Sequence, residues 1–144
     1  MGSQRHTMWE KYVLGTSRPI SVPTDLIKAM DSYKDRTGVQ NPEIFDTALL
    51  RLWGIWNGNQ HDAPNPNIPV SQEAIDVVSR SLRFNPPPQS NGRKGTIWIS
   101  FKGEFTFEWV QMLERDHAIV RCTEDFIRRL LSWFLREEGF LKKL

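Results

Sequence analysis

Apolar residues recur with helical spacing in several stretches of the chain, most of them opening near a capping residue. The clearest start is Asn41-Pro42-Glu43, a cap followed by a first-turn proline and acid. Thr24 opens an earlier helix, which Gly38 ends. We predict apolar helix faces made by Leu26, Ile27, Met30 and Tyr33; by Ile44, Phe45, Ala48, Leu49, Leu52, Trp53 and Trp56; by Ile75, Val78 and Leu82 after Ser71; and by Phe126, Ile127, Leu130, Leu131, Phe134 and Leu135 after Thr123. A further helix is predicted over about 110–118.

Alternation of apolar and polar residues predicts strands in two places. Ile20 and Val22 alternate with small or polar residues just before the first helix. Later, two alternating sets flank Lys102-Gly103, namely Ile97, Ile99 and Phe101 before it and Phe105, Phe107 and Trp109 after it. This second pattern predicts a β-hairpin. The expected fold class is α+β and helix-rich, with a hairpin and two helices at the C-terminal end.

Proline content divides the chain into three parts. Six of the nine prolines lie between residues 54 and 94, at Pro64, Pro66, Pro69, Pro86, Pro87 and Pro88. This predicts a proline-rich connector over 54–94 that holds one short helix. It joins a unit at 1–53 to a hairpin–helix–helix unit at 95–144, and we expect the two units to pack as one compact domain.

Residues 17–53 resemble the ribbon-helix-helix family of DNA-binding repressors. The residues responsible are Ile20-Ser-Val-Pro-Thr-Asp-Leu26, then Gly38, then Asn41-Pro-Glu-Ile-Phe-Asp-Thr-Ala-Leu49. In that family two strands pair antiparallel above four helices, and the outer face of the ribbon enters the major groove. The resemblance implies a transcription regulator that binds duplex DNA as a dimer or pseudo-dimer, without a cofactor.

Carried onto this sequence, the resemblance implies DNA contacts from the strand and from the second helix. The strand would contribute Ser17 and Ser21 from outward positions, and Arg18, which has the inward parity, by swinging out at the strand end. Asn41 and Glu43 would lie at a helix N-terminus that points amide groups at a phosphate. Pro19 also faces outward, but it has no N–H and cannot read a base. This favours an alternative in which the unit serves dimerisation or protein contact.

An internal repeat is one of two explanations of the C-terminal part. The stripe from Ile44 to Trp53 recurs 82 residues later, from Phe126 to Leu135. Two such units in one chain could pair as a pseudo-dimer. Alternatively, any two amphipathic helices share this spacing. The predicted hairpin favours the second explanation, because it puts a strand where the repeat needs a helix.

Composition limits the classes of function. An apolar share of 39% is enough for a core, and no apolar run is long enough to span a membrane. A single cysteine, Cys122, excludes an internal disulfide and a cysteine zinc site, which favours an intracellular, reducing compartment. The three histidines are dispersed and no catalytic motif is present, so we expect no enzyme, no metal and no cofactor.

Basic and aromatic residues supply the remaining candidates for binding sites. Charge is nearly balanced, with 19 basic and 17 acidic residues, which permits nucleic-acid binding without requiring it. A candidate basic patch consists of Arg80, Arg83, Arg93, Lys94, Arg128 and Arg129. Among the six tryptophans, Trp9 and Trp98 lie off the apolar stripes and are candidates for a partner or dimer surface.

Two other functions stay open beside DNA binding. A homo-oligomerising structural or adaptor protein, of viral or mobile-element type, would explain the balanced charge, Pro19 and the many aromatics. It would associate with itself or with a protein partner. Single-stranded RNA binding would instead use Trp98, Phe105 and Phe107 of the hairpin as a stacking platform.

Overall fold

The computed structural model describes residues 15–56, 72–101, 107, 109–111 and 123–144. Within these ranges lie two strands, β1 (Arg18–Pro23) and β2 (Lys94–Ile99), and the helices α1 (Thr24–Thr37), α2 (Asn41–Trp56), α3 (Gln72–Arg83) and α4 (Thr123–Glu137). Residues 107 and 109–111 are also helical, and a short 3-10 turn covers Ser90–Gly92. The predicted helix-rich α+β class is confirmed.

The two strands pair with each other as an antiparallel ribbon, although three of the described helices, α1, α2 and α3, lie between them in sequence. Alternation decides which face is buried. Ile20 and Val22 on β1, and Ile97 and Ile99 on β2, are all at most 2% exposed. The residues between them face solvent. The ribbon therefore has one apolar face on the core and one open face.

The predicted β-hairpin at the C-terminal end is wrong. Phe107 and Trp109 are helical, and the partner of β2 is β1. Trp109 and Val110 are adjacent and both buried, which suits a helix face and not a strand with one solvated side. The predicted turn at Lys102-Gly103 lies outside the described residues, as does Phe105. Without the hairpin, the objection to an internal repeat disappears.

The sequence predicts that Thr24 caps α1, but a turn that is distant in sequence caps this helix instead. No side chain of the adjoining segment caps this helix. Instead, the Asp25 N–H donates to Ser90 Oγ at 2.9 Å, and the Thr24 N–H donates to the Arg93 carbonyl at 3.1 Å. The turn that leads into β2 thus satisfies two of the N–H groups that a helix start leaves without partners.

The other helix boundaries follow local signals. Gly38 ends α1 in the left-handed conformation, with φ of 76°, as predicted. The start of α2 at Asn41 is also confirmed, but the Asn41 Oδ1 is buried without a hydrogen bond, so the predicted side-chain cap is not made. The helix predicted after Ser71 is present as α3, although Ser71 itself lies outside the described residues.

One apolar core joins elements from both parts of the chain, with α2 at its centre. α2 contacts α1, α3, α4 and β2. Phe45 meets Phe101 edge-on with ring centroids 5.2 Å apart, and Trp53 meets Trp109 at 5.3 Å. Such pairs add about 0.5–1.5 kcal/mol beyond the area they bury. None of the described helices is long and apolar enough to cross a membrane.

The N-terminal and C-terminal parts of the chain exchange contacts: a helix that follows each strand contacts the other strand. α2 follows β1 in the chain but contacts β2. α4 follows β2 but reaches β1, where the Arg128 Nε donates to the Ser21 carbonyl at 2.7 Å. A helical segment, described at 107 and 109–111, lies between β2 and α4 in sequence, as α1 lies between β1 and α2. Each part of the chain therefore contacts the strand of the other part.

Candidate nucleic-acid interface

The solvent face of the ribbon is the surface for which the sequence resemblance predicts DNA contacts. Its exposed outward residues are Ser17, Pro19, Ser21, Lys94, Thr96 and Trp98. Pro23, which has the same parity on β1 and lies opposite Lys94, is buried. In the ladder, Ser21 lies opposite Thr96, and Pro19 lies opposite Trp98. The face combines hydroxyl groups, one amine and one indole on a paired backbone.

Arg18 does not have an outward position on this face. Arg18 stands opposite Ile99, at an inward position of β1, and is half-buried. It also has an interaction within the chain. A DNA contact from Arg18 therefore requires its side chain to turn around the edge of the strand. Trp9 lies outside the described residues.

α2 and α4 contact the region of the ribbon through residues of their second turns. Phe45, in the second turn of α2, packs on Phe101 just beyond β2, and Arg128 of α4 binds β1. First-turn N–H groups have no partner within their own helix and attract anions. In α2, however, Pro42 has no N–H and the exposed Glu43 adds a carboxylate. The phosphate contact predicted at this turn therefore meets a local negative charge.

Arg129 of the predicted basic patch is a structural residue. Its Nε donates to Asp125 Oδ2 at 2.9 Å. Its Nη1 donates to the carbonyls of Leu82 and Arg83, at 3.2 and 3.0 Å. These carbonyls belong to the last turn of α3, where a helix leaves its acceptors unpaired. Arg129 thus joins α4 to the end of α3, and its guanidinium is hydrogen-bonded to groups of this chain.

Arg128 is similarly engaged. Besides the Ser21 carbonyl, its guanidinium contacts Glu124 Oε2 at 3.4 Å. The Ser21 contact covers a backbone acceptor on β1, in a ribbon that has no third strand among the described residues. Arg128 therefore stabilises the ribbon from α4, although it lies near the edge of the ribbon.

The four other cations of the patch form two groups. Arg93 and Lys94 are exposed where β2 begins. Arg80 and Arg83 lie on α3, where they line an open concavity of about 340 Å³ with Asp76. Only the first pair belongs to the ribbon.

Sequence reasoning misses Thr96 as a site residue and places Lys94 only in a basic patch. The signal is present in the sequence, because alternation with Ile97 and Ile99 puts both on the opposite face. The partner of β2 is what the sequence does not disclose. Pairing with β1 makes the outer face of β2 continuous with the face that carries Ser21.

The aromatic platform expected for single-stranded RNA is not formed by Phe107. That residue is helical and half-buried, and its ring meets Phe101 edge-on with centroids 5.0 Å apart. No group of three or more His, Cys, Asp or Glu side chains in the described part of the chain could hold a metal ion.

Comparison with known proteins gives no family for this chain: no protein-family model matches it, and no curated protein or solved structure is detectably similar.

Proposed function

We propose that this chain is a DNA-binding regulator of ribbon-helix-helix type in which one chain supplies both strands of the ribbon. One observation carries the proposal. β1 and β2 pair antiparallel within the chain, bury one face on the helices and leave the other exposed. Two identical chains would each contribute one strand to such a ribbon, whereas this chain contains both. The DNA-binding species is then a monomeric pseudo-dimer.

The ribbon's dimensions and side chains suit the major groove. A two-stranded ribbon fits the groove's width of about 12 Å. Strands of six residues reach about 20 Å along it, which corresponds to roughly six base pairs. Lys94 offers an amine to guanine O6 and N7, and the hydroxyls of Ser21 and Thr96 donate or accept. The small side chains of β1 allow its backbone to approach the bases closely.

Phosphate binding rests on few cations in this proposal. Arg93 is exposed beside Lys94, and the net charge of the chain is only +2. With Arg93 on a phosphate and Lys94 on a base edge, about one or two phosphates are neutralised, and counterion release gives a slope of roughly −1 to −2 for log K against log salt. We therefore expect moderate affinity and a shallow salt dependence compared with strongly basic DNA-binding proteins.

Fluorescence anisotropy with a labelled random-sequence duplex tests the proposal. The unmodified chain should bind near physiological salt. Arg93→Ala and Lys94→Ala should each weaken binding several-fold, and loss of a phosphate contact should reduce the salt slope by about one. Lys143→Ala removes an exposed lysine at the C-terminus and is the matched control. No binding, or equal binding by all four proteins, would contradict the proposal.

A protein-interaction function is the second candidate, and Trp98 favours it. This residue is 55% exposed and lies opposite Pro19 on the open face. Exposed tryptophans are enriched among the residues that dominate protein–protein binding. Light scattering separates this candidate from the first. An oligomer that Trp98→Ser converts to a monomer supports it, and a monomer at every concentration argues against self-association through this face.

A further inference from the structure

The outward face of the ribbon differs between its two strands. Ser17, Pro19 and Ser21, on and before β1, carry no charge. β2 presents an amine, a hydroxyl with a methyl group, and an indole, from Lys94, Thr96 and Trp98. If two identical chains built the ribbon, both strands would present the same side chains, and their contacts would repeat about a two-fold axis. This ribbon has no such repetition.

The face also changes from one end of the ribbon to the other. Lys94 lies opposite Pro23 at one end, next to the exposed Arg93. At the other end the strands continue to a hydrogen bond from the Gly15 N–H to the Phe101 carbonyl, at 2.9 Å. Ser17 is the outward residue described there. We call these the lysine end and the serine end.

Arg18 does not make the two ends alike. It adjoins Ser17 in sequence, but it occupies an inward position and is half-buried. The flanking helix starts differ as well. The first-turn acid of α2 is the exposed Glu43, whereas Glu124 and Asp125 of α4 pair with arginines at 3.4 and 2.9 Å. The two ends of the ribbon, and the two flanking helix starts, therefore present different charges to a duplex.

On the basis of the proposed function, we infer that one copy of the chain binds one duplex site and that this site is not palindromic. The lysine end reads guanine through its O6 and N7 acceptors, and Trp98, opposite Pro19, contacts base pairs between the two ends. A base pair in good contact is preferred by about tenfold or more over a mismatched one. Sequence preference is therefore strong at the lysine end and weak at the serine end.

Selection of bound duplexes from a random-sequence library with the full chain tests this inference. The expected result is a motif without two-fold symmetry, with guanine at one end, and a solution mass of one chain per duplex. A palindromic motif, or two chains per duplex, would overturn the inference and leave the proposed function standing. Salt-dependent binding without any preferred sequence would do the same. A chain that binds no duplex overturns the proposed function and this inference together.

Two variants of exposed residues assign the ends of the motif. The unmodified chain should bind a duplex with the terminal guanine more tightly than one with another base at that position. Lys94→Ala should reduce this affinity ratio about tenfold. Ser17→Ala should retain that discrimination. If Lys94→Ala weakens the preference equally at both ends, the ends are not read separately and the inference fails. Circular dichroism of both variants should match that of the unmodified chain, because both side chains are exposed.

Discussion

Ile20 of β1 lies directly opposite Ile97 of β2, and both side chains are 2% exposed. This contact joins a residue near the start of the described chain to one that follows three helices. Directly opposed side chains on one face of a ribbon are the closest neighbours that two strands have. The pair therefore reports on whether the ribbon has formed.

We expect Ile20→Ala and Ile97→Ala each to lower the free energy of unfolding by about 2–5 kcal/mol, because each empties part of a buried site. The double variant should cost less than the sum, since both changes affect the same contact. Urea unfolding measures all three values.

Ser21→Ala and Thr96→Ala are the matched controls, because these residues are paired one position along and are exposed. Each should change stability by less than about 0.5 kcal/mol. If Ile97→Ala behaved like Thr96→Ala, β1 and β2 would not be paired as described.

Helices were predictable from the sequence because their signals are local. Gly38 ends α1 where expected, and the apolar stripe from Ile44 to Trp53 lies in the core. The alternation of Ile97 and Ile99 likewise identified β2 as a strand and its buried face. Each of these features depends on residues within a few positions of one another.

Contacts between distant segments were not predictable in this way. Alternation predicts that β2 pairs with the next alternating residues, which include Phe107, whereas its partner is β1. The cap of α1 is a second example, because Ser90 supplies the oxygen that accepts the Asp25 N–H. A single sequence carries no signal for pairs this far apart. The sequence therefore predicts which residues of each strand face outward, but not that the two strands form one face.

Gly95 has a packing role beside α1. A Cβ built at this position would collide with the Cδ1 of Ile27. We expect Gly95→Ala to cost about 0.5–1.5 kcal/mol, because Ile27 must leave its preferred rotamer. In the background of Ile27→Val, which lacks that methyl group, the same change should be neutral or stabilising, since alanine restricts the unfolded chain. Thermal unfolding of the unmodified chain, the two single variants and the double variant completes the double-mutant cycle. If Gly95→Ala lowered the stability equally in both backgrounds, the contact with Ile27 would be excluded as the cause.

Arg129 should affect stability and leave DNA binding nearly unchanged. Its hydrogen bonds to the carbonyls of Leu82 and Arg83 hold the last turn of α3. We expect Arg129→Ala to lower the free energy of unfolding by about 1–2 kcal/mol, a value reduced for the partial exposure of the side chain. Arg83→Ala is the control, because its own side chain is exposed.

The salt slope of DNA binding separates the two roles of Arg129. A structural residue leaves the slope of the folded protein unchanged, whereas a phosphate contact reduces it by about one when it is removed. A lower slope in Arg129→Ala at unchanged stability would place this residue in the DNA interface instead.

Arg136 should be among the most sensitive charged residues of α4. It is 4% exposed, and it donates to the carbonyls of Pro86 and Lys142, at 2.7 and 3.0 Å, and to Asn85 Oδ1 at 3.4 Å. Burial lowers the pKa of its guanidinium by disfavouring the charged form, and these neutral acceptors offset that cost.

Arg136→Met should lower the free energy of unfolding by about 3 kcal/mol, because it leaves several acceptors without a donor. Arg136→Lys should recover only part of this loss, since a single ammonium cannot span the positions that the planar guanidinium reaches. Glu137→Ala, at the exposed neighbouring position, is the control and should stay within about 0.5 kcal/mol of the unmodified chain. Urea unfolding measures each value. A methionine variant as stable as the unmodified chain would mean that the desolvation of Arg136 cancels its hydrogen bonds.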